Sequence, residues 1–235
     1  MNVRIISPTQ APAHKFTNKY GQVRQHRRYY EEEPQGFEVT VFPGEDIYPH
    51  YHTENQFQLF FPTAGATYAR KPIDHVAVHY AEAYTVYGPI EAASEESLHF
   101  MTLRAHVNHF TGFMPGAEAE RVRRGAPSVH VDVLDRPATS DIENLMGPRE
   151  DGLWSCAIRC QPGEIIPDFG PAQGDGQFVA VIGGSIDQGP GADQYEERSL
   201  AWVPVGSQFS GWRAGDAGAS LVVMQFPAAS DEAAS

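Results

Sequence analysis

Residues 43–58 read Pro43-Gly44-Glu45-Asp46-Ile47-Tyr48-Pro49-His50-Tyr51-His52-Thr53-Glu54-Asn55-Gln56-Phe57-Gln58. A Pro-Gly turn opens the stretch, and two histidines follow with one residue between them. On a strand, side chains two residues apart project to one face, so His50 and His52 point together. Two imidazoles turned into a barrel interior can chelate one divalent ion at about 2.0–2.1 Å. A third donor can come from the returning strand after a short turn, and Gln56 is the candidate there. Gln58 lies on the same face one pleat further on, which makes that interior polar.

The same landmarks return later in the chain. Pro43-Gly44-Glu45 recurs as Pro162-Gly163-Glu164, an offset of 119, and Gln56-Phe57 recurs as Gln177-Phe178, an offset of 121. Gly88, Ser97, Leu98 and Met101 match Gly211, Ser220, Leu221 and Met224, all at 123. Anchors that keep their order with so little drift describe a tandem duplication of one unit. The 22 glycines and 18 prolines punctuate short runs rich in Val, Phe, Tyr and Ile. That pattern predicts an all-β chain of many short strands. Helices are expected only over 115–124, where good helix formers follow a proline, and over 140–145, where Ser140 or Asp141 would cap.

The boundaries follow: a polar arm over 1–36, a first barrel over 37–112, a connector over 113–151, a second barrel over 152–227, and a frayed tail over 228–235. The arm carries His14, Lys15, Lys19, Arg24, Arg27 and Arg28 and closes on Glu31-Glu32-Glu33. It is expected to drape over a sheet or over a second subunit, as in a homodimer.

The stretch 41–65 resembles the first motif of the cupin superfamily: Pro-Gly, five residues, His-x-His, three or four residues, Glu, then about six residues and Gly. Pro43-Gly44, His50, His52 and Gly65 fall into it, with Gln56 where the family usually has Glu. The family's second motif adds one more histidine. The corresponding run 82–90 has none, and Tyr87 (or Tyr84) occupies the place, similar to bacterial cupins with His-x-His, a following Gln and a Tyr-Gly-Pro turn. His75 and His79, one strand upstream, are the other candidates for a fourth ligand. With the duplication, the resemblance implies a bicupin, two tandem double-stranded β-helix (jelly-roll) barrels, with a divalent metal ion in the first held by His50, His52 and Gln56. It implies a metal-dependent enzyme acting on a small-molecule substrate, foremost a dioxygenase in which Fe(II) binds a chelating substrate and O₂ together. Mn, Ni or Zn in that cage would suit an isomerase or lyase. Tyr48, Tyr87 and Gln58 are placed to orient substrate or supply a proton. The neutral Gln56 and the missing histidine suit an alternative, a non-catalytic or degenerate small-molecule-binding cupin.

The second half serves as an internal control. Counting from Pro162-Gly163 puts Phe169 and Pro171 where the first half has His50 and His52, and no histidine follows Cys160. Its expected role is structural or substrate-shaping. His99, His106, His109 and His130 are expected to be structural or at the surface. Arg70 and Arg104 are expected at the solvated surface, and a buried one would favour a carboxylate substrate. Cys156 and Cys160 are expected as reduced thiols on one face of a strand, about 13 Å apart.

Composition narrows the partners. Hydrophobic residues at 41% support a sizeable core, while 17 Lys+Arg against 30 Asp+Glu give a net charge of −13. Such a charge repels phosphate backbones and anionic headgroups, so neither nucleic acid nor membrane is an expected partner. No run approaches the ~20 apolar residues of a membrane helix, and residues 1–8 open without a signal-like apolar block, so the expected location is the cytoplasm.

Overall fold

The computed structural model describes residues 3–228. Every regular element among them is a strand, and no helix is long and apolar enough to cross a membrane. The chain divides into an N-terminal unit, Ala11–Leu134, and a C-terminal unit that joins the segment up to Gln10 with the chain from Asp135 onward.

In chain order β1 (Arg4–Ile6) belongs to the C-terminal unit, and the N-terminal unit then begins. Its strands are β2 (Ala13–Thr17), β3 (Val23–Tyr30), β4 (Gln35–Val41), β5 (Asp46–Ile47), β6 (His50–His52), β7 (Gln56–Phe60), β8 (Thr67–Tyr68), β9 (Lys71–Pro72), β10 (Val76–Ala81), β11 (Ile90–Glu91), β12 (Leu98–Arg104), β13 (Thr111–Phe113) and β14 (Val129–Val133). The main sheet runs β14-β10-β7-β12-β4-β3-β2, with smaller sheets β5-β11-β8-β9 and β13-β6. The C-terminal unit adds β15 (Ile142–Met146), β16 (Trp154–Cys160), β17 (Gln177–Asp187), β18 (Tyr195–Glu196), β19 (Leu200–Val203) and β20 (Arg213–Gln225). Its sheet runs β1-β19-β17-β20-β16-β15, with β18 on β17.

Inward-facing side chains of the N-terminal unit grade from polar to apolar along β7 and β12. On β7 they are Gln56, Gln58 and Phe60, and on β12 Arg104, Thr102, Phe100 and Leu98. Register aligns the gradients, pairing Gln58 with Thr102 and Phe60 with Phe100 on β12, and Gln58 with His79 on β10. At the apolar end Val41, Phe60, Ile90, Leu98 and Phe100 form a sealed core. The polar end stays open and holds the cavity described below. The C-terminal unit instead fills its interior with Ile158, Val179, Val181, Phe209, Leu221 and Val223.

Several expectations are corrected. The segment 11–36 is not an arm: β2 and β3 extend the main sheet, with Gln22 and Arg24 bonded to Glu45 and Asp46. Alternation of Arg24, His26 and Arg28 hid a strand whose inward face is polar because it borders a cavity. Residues 115–124 form turns rather than a helix. Ten residues make a marginal helix, and here the carbonyl of Ala117 accepts from Tyr51 while Arg121 donates to the carbonyl of Tyr84. Residues 142–146, overlapping the second expected helix, pair as β15 with β16. The connector therefore splits, β14 closing one unit and β15 edging the other. Residues 229–235 of the expected tail lie outside the described residues. Cys156 and Cys160 are both buried and free on β16.

Candidate functional site

The Pro43-Gly44 turn sets Gly44 at φ 74°, which a side chain would strain, and its N–H bonds the carbonyl of Ala93 at 2.8 Å. The chain then enters β6, which is held from two sides. One is the β13 pairing, His50 to Phe113 and His52 to Thr111; the other is a reciprocal pair of 3.0 Å backbone bonds between His50 and Tyr87. Tyr51 projects oppositely and is fully buried, its hydroxyl 3.0 Å from the Ala117 carbonyl. His50 and His52 are buried together, ring centroids 5.1 Å apart. Nδ1–H of His50 donates to the Tyr48 carbonyl at 2.7 Å, which leaves the Nε2 lone pair free. Nδ1 of His52 lies 3.0 Å from Thr111 Oγ1.

Gln56 faces this pair from β7, 1% exposed and fully engaged. Its Oε1 accepts from Nη2 of Arg104 at 2.9 Å and from Nε at 3.1 Å, and its amide nitrogen donates to the Tyr87 hydroxyl. Arg104 is 4% exposed, so the expectation of a surface arginine is corrected for it, while Arg70 is exposed. The end of β12 turns Arg104 inward, where Nη1 donates to Gln35 and Nη2 lies 3.4 Å from both ring nitrogens of His52. Gln58, one pleat deeper, is 2% exposed and its Oε1 has no hydrogen-bond partner.

These groups open on a cavity of about 420 Å³. Apolar walls come from Phe37, Val39, Ile47, Phe100 and Phe113, and the polar wall from His50, His52, Gln58, Tyr87, Thr102 and Arg104. Burial pushes the imidazole of His50 down to about 4, with Arg104 adding to the shift and the Tyr48 carbonyl opposing it. Burial, then Arg104, then His50 hold His52 well below the usual range. Burial also holds the Tyr87 phenol far above its ordinary range and lowers Arg104 to about 10. At neutral pH the cluster is two neutral imidazoles, a neutral phenol, two amides and one guanidinium cation.

The structure brings His50, His52, Gln56, Gln58 and Tyr87 together and leaves Tyr48 outside. Its side chain is 43% exposed against Tyr20, and only its carbonyl serves the site. His75 is exposed, and Tyr84 packs on Tyr51. His79 points inward from β10, with Nε2 3.0 Å from the Tyr68 hydroxyl and Nδ1 without a partner. His130 stacks on that same Tyr68. Sequence reasoning missed Arg24, His26 and Gln35 as wall residues. The signal available was the alternation in 23–28, with Arg24 and His26 on one face.

The sequence matches no family model and no curated protein. Similarity lies in the fold. A candidate dioxygenase from Nostoc punctiforme superposes with a TM-score of 0.64 at 10% identity, covering 94% of this chain and 81% of the other. HEPD from Streptomyces albus, with 2-hydroxyethylphosphonate and Fe(II) bound, gives 0.60 at 10% identity over 99% and 78%. The pirin YhhW from Escherichia coli, in complex with nickel(II), gives 0.56 at 9% identity over 97% and 100%. The fold is that of the cupin superfamily.

In the cupin fold a metal is the implied occupant, and the donor chemistry here tests it. The oxygen of Gln56 that would face an ion is taken by Arg104. Two neutral imidazoles remain, no carboxylate joins them, and a guanidinium lies 3.4 Å from His52. Among the described residues no three His, Cys, Asp or Glu side chains are grouped to hold a metal. As arranged, the site does not fit a divalent cation.

The C-terminal unit offers a second comparison. An isolated bridge joins Pro171 to Gln208, as one joins His50 to Tyr87, and Gln177 pairs with Gln225 on β20. This register sets Pro171 and Gln173 against His50 and His52, which corrects the count of Phe169 and Pro171. The interval after the Pro-Gly turn is two residues longer there.

Proposed function

We propose that the chain is a small-molecule-binding bicupin whose N-terminal barrel is organised by the Arg104 guanidinium rather than by a metal ion. One observation carries this reading: Gln56, at the third-ligand position, has its oxygen bonded to both Nε and Nη2 of buried Arg104. The bicupin part rests on strand order, since β14-β10-β7-β12-β4-β3 and β1-β19-β17-β20-β16-β15 correspond strand for strand. The two Pro-Gly turns support it further, with Gly44 and Gly163 both at φ 74°. In this reading the N-terminal unit does the binding. The C-terminal unit, with neutral Pro171, Gln173, Gln177 and Gln225 at the matching positions, is a scaffold.

A second reading is a metal-dependent dioxygenase using His50 and His52. It is favoured by their 5.1 Å ring separation and by the fold likeness to Fe(II)-bound HEPD. Elemental analysis of protein purified without chelator or histidine tag, followed by calorimetric titration with Fe(II), Ni(II), Mn(II) and Zn(II), separates the two. The expected result is substoichiometric metal and no saturable binding. Stoichiometric metal that is lost in His52→Ala would replace our reading with the second one.

A further inference from the structure

Arg104 has no carboxylate in contact with it, and Glu54 acts on it only through space. No carboxylate among the described residues forms an ion pair with it, and Tyr87, held far above its ordinary phenol range, stays uncharged. Its hydrogen-bond partners are neutral amides, Gln56 and Gln35, and the neutral His52. A buried cation with no carboxylate in contact is costly, and this one borders a cavity. Nε and one N–H of Nη2 serve Gln56 and one N–H of Nη1 serves Gln35. One N–H on each terminal nitrogen is left, that of Nη2 in only long contact with His52.

A second orphan lies deeper in the same cavity. Oε1 of Gln58 is buried with no donor, and an unpaired buried acceptor calls for a ligand hydroxyl or N–H. Gln58 stands two residues along β7 from Gln56, the partner of Arg104, or about 7 Å at strand rise. The space near the two is walled by the rings of Phe37, Phe100 and Phe113, with the Arg104 guanidinium 5.7 Å from the Phe37 centroid. A phosphate or phosphonate would call for several buried convergent cations, but Arg24 is committed to Glu45, and Arg28, though it lines the cavity, is exposed. One guanidinium suits a monoanion.

We propose that the N-terminal barrel binds a hydroxylated aromatic carboxylate, with the carboxylate on Arg104, the ring among Phe37, Phe100 and Phe113, and the hydroxyl donating to Gln58. A para-substituted ring holds its two polar ends apart by about two residues of strand, the separation of Gln58 from Gln56, the partner of Arg104. This rests on the metal-free binding reading above and adds the class of ligand.

Calorimetry on the full chain at pH 7.5, without added metal, tests it with 4-hydroxybenzoate, 4-hydroxycinnamate, benzoate, cinnamate and methyl 4-hydroxybenzoate. At least one hydroxy acid should bind, its unhydroxylated parent several-fold more weakly, and the ester at least tenfold more weakly. Arg104→Gln should remove the preference for acid over ester, and Gln58→Leu should remove the preference for hydroxylated over parent acid. Equal binding of acid and ester by the wild type would overturn the anion and leave the pocket. Binding of none of the four acids would overturn the ligand class. Acid binding that appears only with added Fe(II) or Ni(II) would overturn the metal-free reading itself. Should Arg104→Gln fail to fold by circular dichroism, the wild-type comparisons and Gln58→Leu decide alone.

Discussion

At the scale of single residues, one amide decides how the site behaves. Gln56 satisfies Arg104 with a dipole where a carboxylate would neutralise it, so the guanidinium borders the cavity without a carboxylate in contact. Gln56→Glu replaces a neutral acceptor by a charged one and lets the Tyr87 hydroxyl donate to it. The variant should gain about 1–1.5 kcal/mol, the excess of hydrogen bonds to charged groups over neutral ones. At roughly 2–4 °C per kcal/mol for a chain of this size, a thermal melt resolves it. The same variant should lose affinity for organic acids, because the guanidinium is then already paired. A melt unchanged or lowered, with acid binding intact, would show that Arg104 does not lack a carboxylate partner. None of this was legible from the spacing of residues 43–58. The sequence shows Gln56 and shows Arg104 forty-eight positions later, but only the pairing of β7 with β12 sets them opposite one another.

At the scale of elements, β6 illustrates what a pattern reveals and what it conceals. The same-face placement of His50 and His52 follows from strand periodicity alone, and the structure has it. What holds the strand is β13, a three-residue partner that straddles the end of the expected first barrel, and its middle residue is Gly112. A Cβ there would sit 2.3 Å from the Tyr51 ring, which is buried and tied by its hydroxyl to Ala117. Gly112→Ala must therefore displace either Tyr51 or the pairing, at about 1–3 kcal/mol of overpacking. Urea denaturation should show that loss, and Tyr51→Phe only about 1 kcal/mol for its hydrogen bond. A neutral Gly112→Ala would mean that β13 does not lie against β6 as closely as drawn. The missed strands β2 and β3 share a physical reason. Their cavity-facing positions are charged or polar, so inward and outward residues look alike to a hydrophobicity pattern. The expected helix over 115–124 failed for the opposite reason, with good local propensity and no partner face.

At the scale of the whole molecule, burial of imidazole makes stability depend on pH. Burial pushes His26, stacked on Phe37, down to about 4 and His79 down to about 3, with neighbouring cations and imidazoles adding to each shift. In the unfolded chain both titrate near 6.5, so between about pH 6.5 and 4 the unfolded state takes up protons that the folded state refuses. Stability should be flat above pH 7 and fall as pH drops through that window, by up to about 1.4 kcal/mol per unit for each histidine. Unfolding free energies from denaturant titrations at pH 7.5 and 5.0 should differ by about 4 kcal/mol from these two rings, with His50 adding to the loss, and equal values would contradict the burial of both rings. The strand orders carry a different consequence, one of timing. Every strand of the N-terminal unit lies between Ala13 and Val133, so its sheets can close while the rest of the chain is still being made. The C-terminal unit cannot proceed that way. Its edge strand β1 pairs Arg4 with Trp202, so at roughly 5–20 residues per second it leaves the ribosome some 10–40 s before its partner. The C-terminal sheet is thus finished by a segment that is made before the whole N-terminal unit and must stay unpaired throughout the wait. The polar Arg4 and the brevity of a three-residue strand keep it from pairing elsewhere.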